Sequence, residues 1–392
     1  MLRKLLDLTG KYFQPGRRLH RLYPLYEAAD TLLYNTSRVT SGRTHVRDAL
    51  DLKRLMSTVI LALVPCILMA LYNTGLQVNT ALAGSSLQNW RGVVISWLGL
   101  GHDPGSLLNN FVLGALYFVP VYLVVQLAGG FWEVLFAVVR RHEINEGFFV
   151  TGMLFPLILP HDIPLWQAAL GISFGVVMAK EVFGGTGFNF LNPALAARAF
   201  IFFAYPQAIS GNKVWVNIDS VSIATPLAAV GEKTYSWLDS FLGFVPGSMG
   251  ETSALACIMG AFILLVTGVA SWRIMLSIVL SMSIWATLFN YGSPAGADVM
   301  YHVAWYEHLV MGGFAFGTVF MATDPVTGCV TNMGKYIYGF LIGMLVILVR
   351  VVNPAFPEGM MLAILFANCF APIIDHYVVR RNINRRLQRS ER

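Results

Sequence analysis

Seven charged residues fall inside long apolar runs or at their ends: Glu133, Lys180, Glu181, Arg198, Asp324, Arg350 and Asp375. An ion in hydrocarbon is costly, so each is a candidate for a cation path, a proton relay or a polar ligand. Lys180, Glu181 and Arg350 lie close to the run ends, and for them the simpler reading is snorkelling to the headgroups. Glu133 closes Gly129-Gly130-Phe131-Trp132-Glu133. Paired glycines leave a bare strip of helix that admits either a neighbouring helix or a flat ligand. Asp375, beside His376 at the end of the last run, suits a cation or the membrane interface. A turn rich in glycine, Gly184-Gly185-Thr186-Gly187, precedes Asn189 and Asn192. No strand comes before it and no P-loop lysine after it, so it is no nucleotide fingerprint. Its backbone N–H groups and the two amides are suited to wrapping a ligand beside a span. A last segment, Asp219-Ser220-Val221-Ser222-Ile223-Ala224-Thr225-Pro226, carries hydroxyls at Ser222 and Thr225. On residue chemistry alone it is a turn.

These side chains belong to a chain made for lipid. Of 392 residues, 56% are hydrophobic and 12% charged, and mean hydropathy is +0.61. Soluble domains carry about 25% charged residues, so half that fraction leaves too few to coat a water-facing surface. The four cysteines are scattered and form no CxxC or Cys/His cluster, which argues against iron–sulfur, zinc and c-type haem sites. Buried small hydrophobes are the expectation for them, and no histidine pairing suits bis-His haem. Of 27 Lys and Arg, 11 lie in residues 1–54 and six after Tyr377. No nucleic-acid module accompanies that charge, so it reads as the positive-inside rule with both ends cytoplasmic. Residues 1–30 are basic and amphipathic and lack the apolar core of a cleavable signal.

Apolar runs near 54–73, 107–139, 147–160, 165–182, 193–206, 251–269, 273–291, 308–323, 335–352 and 358–378 predict about ten transmembrane helices. Several are under 18 residues, too short for a simple crossing, and predict broken half-helices packed inside a bundle. A weak internal repeat supports two inverted halves of five spans. Gly147-Phe148-Phe149 matches Gly313-Phe314-Ala315-Phe316. The glycine-spaced spans at Gly171 and Gly175 and at Gly339 and Gly343 follow, then Asn192-Pro193-Ala194 and Asn353-Pro354-Ala355. The expected layout is a cytoplasmic amphipathic segment at 1–50, a first membrane repeat at 51–206, a periplasmic loop at 207–250, a second repeat at 251–378 and a basic cytoplasmic tail at 379–392. Leu22, Leu25, Tyr26, Leu32 and Leu33 among arginines suit the first segment to a membrane surface or a partner.

The motifs together resemble the B subunits of the bacterial sodium-translocating NADH:quinone oxidoreductase (Na+-NQR). Carrying the resemblance are His45-Val46-Arg47-Asp48, Gly129 to Phe136, Ala179 to Gly187, Phe190-Leu191-Asn192-Pro193-Ala194-Leu195, Met321-Ala322-Thr323-Asp324-Pro325 and Val351 to Leu365. Asp219, Ser222, Ala224 and Thr225 match the signal at which a flavin transferase links FMN to threonine, with Ile223 where the family usually has glycine. The resemblance implies FMN joined by a phosphoester to Thr225, making 207–250 a flavin-attachment loop, and a bound riboflavin near Asn189 and Asn192. It implies Gly129, Gly130 and Glu133 as the quinone region, with ubiquinone as substrate. It further implies a six-subunit complex of the bacterial inner membrane, with an FMN-bearing C subunit and subunits D, E, F and A, that exports Na+. Glu133, Asp324 and Asp375 are the candidates for the sodium path. The D subunit of the Rnf-type ferredoxin:NAD oxidoreductase shares the repeat and the threonine, whereas the basic preface favours the quinone reductase. On the repeat and the membrane charges alone the chain also reads as a secondary transporter without a redox group; the Thr225 signal separates the two.

Overall fold

The computed structural model describes residues 2–13, 17, 23, 26, 27, 30, 52–82, 87–140, 144, 147–209, 225–227, 235–294, 296–353 and 358–390. Asp219, Ser222, most of the 1–50 segment and half of the 207–250 segment lie outside that set. Every regular element among the described residues is helical. An amphipathic helix α1 (Leu2–Phe13) comes first, and Phe13 stacks on Tyr26 at 5.5 Å. The first half then holds α2 (Leu52–Leu82), α3 (Leu107–Arg140), α4 (Gly147–Leu157), α5 (Leu165–Ala179) and α6 (Pro193–Ala204). The second holds α7 (Ala254–Val266), α8 (Trp272–Tyr291), α9 (Phe314–Phe316, continuing as a π-helical turn Gly317–Met321), α10 (Asn332–Val352) and α11 (Gly359–Ser390).

Five helices, α2, α3, α8, α10 and α11, are long and apolar enough to cross a membrane. The others are short, and α4 at 11 residues spans only about 16 Å, half of a hydrocarbon core of about 30 Å. Each of the ten expected apolar runs is thus helical at least in part, as an all-α polytopic membrane protein requires. Boundaries differ at α2, which continues through residues 74–82, where the sequence suggests the start of a polar loop; Trp90–Trp97 in that loop is also helical. Local signals set several starts. Asn192 caps α6, accepting from Ala194 N at 3.0 Å and Leu195 N at 3.3 Å, with Pro193 at the first helical position. Thr331 caps α10 in the same manner through Gly334 N.

The packing carries the inverted repeat. In the first half α5 lies between α3 and α6, and in the second α10 lies between α8 and α11. The short α4 packs on α2, α3 and α6, and α9 packs on α7, α8 and α11. Across the halves, α2 meets α7 and α6 meets α11, each helix against its own counterpart. Direct α2–α3 packing is a feature of the first half without an equally extensive α7–α8 match. Cys66 and Cys257 face each other across the α2–α7 contact at 3.9 Å, and Cys329 is also buried, whereas Cys369 is exposed on α11.

The glycine spacing does not follow the repeat into three dimensions. Gly171 and Gly175 of α5 press on Ile201, Pro193 and Ala197 of α6. Gly339 and Gly343 of α10 press instead on Ile274, Ile278 and Met282 of α8. A Cβ at Gly343 would sit 2.4 Å from the Ile278 carbonyl oxygen, so the two backbones touch and Ser281 Oγ donates to Phe340 O at 2.7 Å. Gly343→Leu should therefore force α8 and α10 apart and cost about 1–3 kcal/mol or more. Thermal unfolding in detergent checks this, with Gly130→Ala, whose added Cβ would have its nearest neighbour at 3.8 Å, expected to melt as the parent does.

Candidate functional site

Two buried polar clusters lie within the bundle. In the first, where α5 stops, Lys180 and the 3₁₀ turn Glu181–Phe183 lead into the loop before α6. Lys180 is 3% exposed and Glu133 of α3 is 4% exposed, and the ammonium donates directly to the carboxylate. Next to them Arg140 donates to the Glu181 carbonyl at 2.5 Å and lies 3.8 Å from its carboxylate. Snorkelling is thus the wrong expectation for Lys180 and Glu181. Ending α5 at Ala179 turns both side chains inward, where a carboxylate and an arginine wait.

Lys180 lines a cleft with Thr151, Thr186, Asn189, Asn192 and Asp324. The cleft encloses about 60 Å³. The structure therefore brings Asn189, Asn192, Asp324 and, behind Lys180, Glu133 to one place. The asparagines are partly committed to the backbone. Asn192 caps α6, and Asn189 accepts from Gly187 N at 3.3 Å and donates to Leu191 O at 3.1 Å. Asp324 closes a turn after the π-helix, accepting from Val326 N at 3.2 Å and Thr327 Oγ1 at 2.9 Å. The Thr186 hydroxyl is buried with no hydrogen-bond partner among the described residues, which leaves one unmet polar group facing the cleft.

Gly129 and Gly130 behave differently from each other. A Cβ on Gly129 would strike the Phe148 ring at 2.4 Å, so that glycine serves close packing of α3 on α4. The open strip expected from the pair is reduced to Gly130. Glu133 shares the inward face of α3 with Gly129 and Ala137. Asp375 stands apart from the cleft. It accepts from Val330 N at 2.7 Å, Thr331 N at 3.1 Å and Thr331 Oγ1 at 2.5 Å, tying α11 to the start of α10. A backbone-anchoring role accounts for a residue that is hard to place from sequence.

The second cluster joins Arg198 to two acids that the sequence did not single out. Arg198 of α6, 4% exposed, donates to both Glu251 oxygens at 3.0 and 3.2 Å, to Ser248 Oγ at 3.3 Å and to Glu358 at 2.5 Å. Glu251 and Glu358 each stand just before a helix, α7 and α11. An acid ahead of an apolar run, where it complements the helix dipole, is the signal that could have found them. Arg350, repeat partner of Lys180, is fully buried instead of snorkelling. It donates to His308 O at 3.0 Å and Met311 O at 2.9 Å. Over these carbonyls the chain turns at Gly312, whose φ of +61° favours glycine, and a Cβ there would lie 3.2 Å from Leu227. Leu227, two residues after Thr225, is buried against Met300, Val303 and Met311. Thr225 is half-buried.

Removing one partner of a buried ion pair leaves an uncompensated charge and costs about 3–5 kcal/mol. Lys180→Met should destabilise by that order, and adding Glu133→Gln should recover most of the loss. A double-mutant cycle on thermal unfolding reads the coupling; strictly additive losses would remove the pair from this account.

Residues 39–384 match the NQR2, RnfD, RnfE family. The chain is 55% identical over 398 residues to a Chromohalobacter salexigens protein described as the B subunit of Na(+)-translocating NADH-quinone reductase, covering 99% of this chain and 97% of that one. It is 54% identical over 402 residues to a Pseudomonas aeruginosa protein of the same description, with 99% of each covered. An Azotobacter vinelandii protein, again so described, is 53% identical over 405 residues and covered in full. A ten-run helical bundle with this packing, matched along its whole length by such relatives, belongs to the NQR2, RnfD, RnfE family.

Proposed function

We propose that this chain is the membrane B subunit of a Na+-translocating NADH:ubiquinone oxidoreductase of the bacterial inner membrane. In that reading it works with the FMN-bearing C subunit and subunits D, E, F and A, passing electrons to ubiquinone while Na+ is exported. The observation that carries the proposal is Thr225 in its Asp219-x-x-Ser222-x-Ala224-Thr225 setting. FMN attached there by a flavin transferase forms a phosphoester with the threonine oxygen. Leu227, seated among Met300, Val303 and Met311, fixes the chain two residues beyond that oxygen. Arg350 holds the carbonyls beneath, so the attachment point has a rigid footing at the outer face.

Riboflavin is assigned to the inner cleft. Thr186 supplies an unmet hydroxyl there, and Asn189 and Asn192 present amides on a glycine-rich turn. Bound flavin supplies one-electron chemistry, and the protein supplies position and electrostatics. Lys180 on the cleft wall, its charge balanced by Glu133, keeps further N–H donors for a ligand. Gly130, with only Phe148 near its missing Cβ, is the approach for a flat quinone ring on α3, and Glu133 lies one turn on. Glu133, Asp324 and Asp375 remain the residues assigned to the sodium path. Glu133 and Asp324 stand at the inner cleft, and Asp375 at the α10–α11 junction.

Two experiments test this. Co-expression with a flavin transferase should give a fluorescent band on a denaturing gel, with the FMN mass on the peptide containing Thr225, and Thr225→Val should abolish both. An unmodified native peptide, or flavin on another threonine, would refute the assignment. Gly130→Leu should leave assembly and flavin reduction intact while quinone turnover drops about tenfold or more, since a filled pocket removes well over 1.4 kcal/mol of binding. Unchanged quinone kinetics in an intact complex would move the quinone site off α3.

A further inference from the structure

The last helix outlasts the membrane. α11 has 32 residues and extends about 48 Å, while roughly 20 residues cross the hydrocarbon. Counted from Gly359, the crossing ends near Val378, and the remaining turns project beyond it. A groove of about 800 Å³ runs along this exit, between α11 and the first turns of α10. Its apolar part is formed by Met333, Ile337, Ile374 and Val378, and its mouth by Arg381 and Arg385. Ile374, Val378, Arg381 and Arg385 recur every three or four residues, which puts them on one helix face. Met333 and Ile337 are exposed at 54% and 41%, and both arginines are exposed. Tyr377, where the apolar part gives way to the basic part, is the residue type that marks a membrane interface.

We propose that this groove binds one anionic diacyl phospholipid, its acyl chains on Met333, Ile337, Ile374 and Val378 and its phosphate between Arg381 and Arg385. Depth decides the class of occupant. By the count from Gly359, Ile374 and Val378 fall in the last turns of the crossing, where a water-soluble partner would have to enter hydrocarbon. The arginines follow about one and two turns later, at headgroup level. Guanidinium groups pair with phosphate in bidentate fashion, and basic pockets between spanning helices on the cytoplasmic side are suited to anionic headgroups. The nearest carboxylate on α11, Asp375, is turned toward Val330 and Thr331 and forms no ion pair with either arginine among the described residues. The bound lipid would brace the α10–α11 pair below the Asp375 tie.

The test uses the protein purified with its partner subunits and stripped of lipid by detergent exchange. Phosphatidylglycerol should raise its melting temperature by several degrees. Phosphatidylcholine and soluble glycerol 3-phosphate should not, because one lacks the net charge and the other the chains. Arg381→Gln with Arg385→Gln should cancel the shift, and native mass spectrometry should show the loss of a retained phosphatidylglycerol. Met333→Trp, which fills the groove without altering charge, should displace the same lipid. The site is overturned if phosphatidylcholine or glycerol 3-phosphate stabilises equally, or if the double variant keeps both shift and lipid. It is also overturned if a cross-linker on Met333→Cys traps a partner subunit in native membranes.

Discussion

Two helices, α4 and α9, end inside the bundle, and the rest of the molecule is arranged to satisfy the backbone they leave open. In hydrocarbon an unpaired N–H or C=O costs several kcal/mol, so broken backbone is tolerated only where protein covers it. At the end of α4, Leu157 O accepts from Gly250 N at 2.7 Å and Leu159 O from Met249 N at 3.2 Å. The loop that delivers those donors is itself held by Arg198 through Ser248 and Glu251. Ahead of α9, the carbonyls of His308 and Met311 are capped by Arg350. Buried arginines thus stand where solvent would otherwise be needed.

The same constraint explains why polar chemistry collects in two places. The two related halves break after α5 and after α10, each with a buried cation, Lys180 or Arg350. Their partners differ: Lys180 meets a carboxylate and opens on a cleft, whereas Arg350 meets carbonyls and closes a platform. A pair of buried charges adds little net stability compared with apolar packing, so the Glu133–Lys180 pair is better explained by the electrostatics of the cleft than by the fold. The platform is consistent with a structural use, since Leu227 rests directly upon it.

Close helix contacts show how similar sequence supports dissimilar packing. The Gly-xxx-Gly spacing of α5 and α10 is the same, yet one stripe faces α6 and the other α8. Small residues permit approach without specifying to which neighbour. Neighbour choice came from the remaining faces, such as the Ser277 and Ser281 hydroxyls that donate across to Tyr336 O and Phe340 O.

By itself the sequence determined that the chain lives in lipid, that its structure is helical and that it has about ten apolar runs in two related halves. Those properties depend on composition and local hydropathy, which need no knowledge of neighbours. The resemblance carried by Asp219 to Thr225 was also legible, because a short motif is read along the chain. Only the tertiary structure decided which charges pair. The carboxylate facing Lys180 lies 47 positions away at Glu133, and Arg198 reaches Glu358 across 160 positions. Snorkelling was a sound expectation from distance to a run end, and it failed because a helix that stops within the bundle turns its terminal side chains inward. The divergence of Gly129 and Gly130 was likewise hidden, since it depends on the Phe148 ring arriving from another helix. Pairing across the bundle is a property of which faces meet, and no local pattern in the chain encodes it.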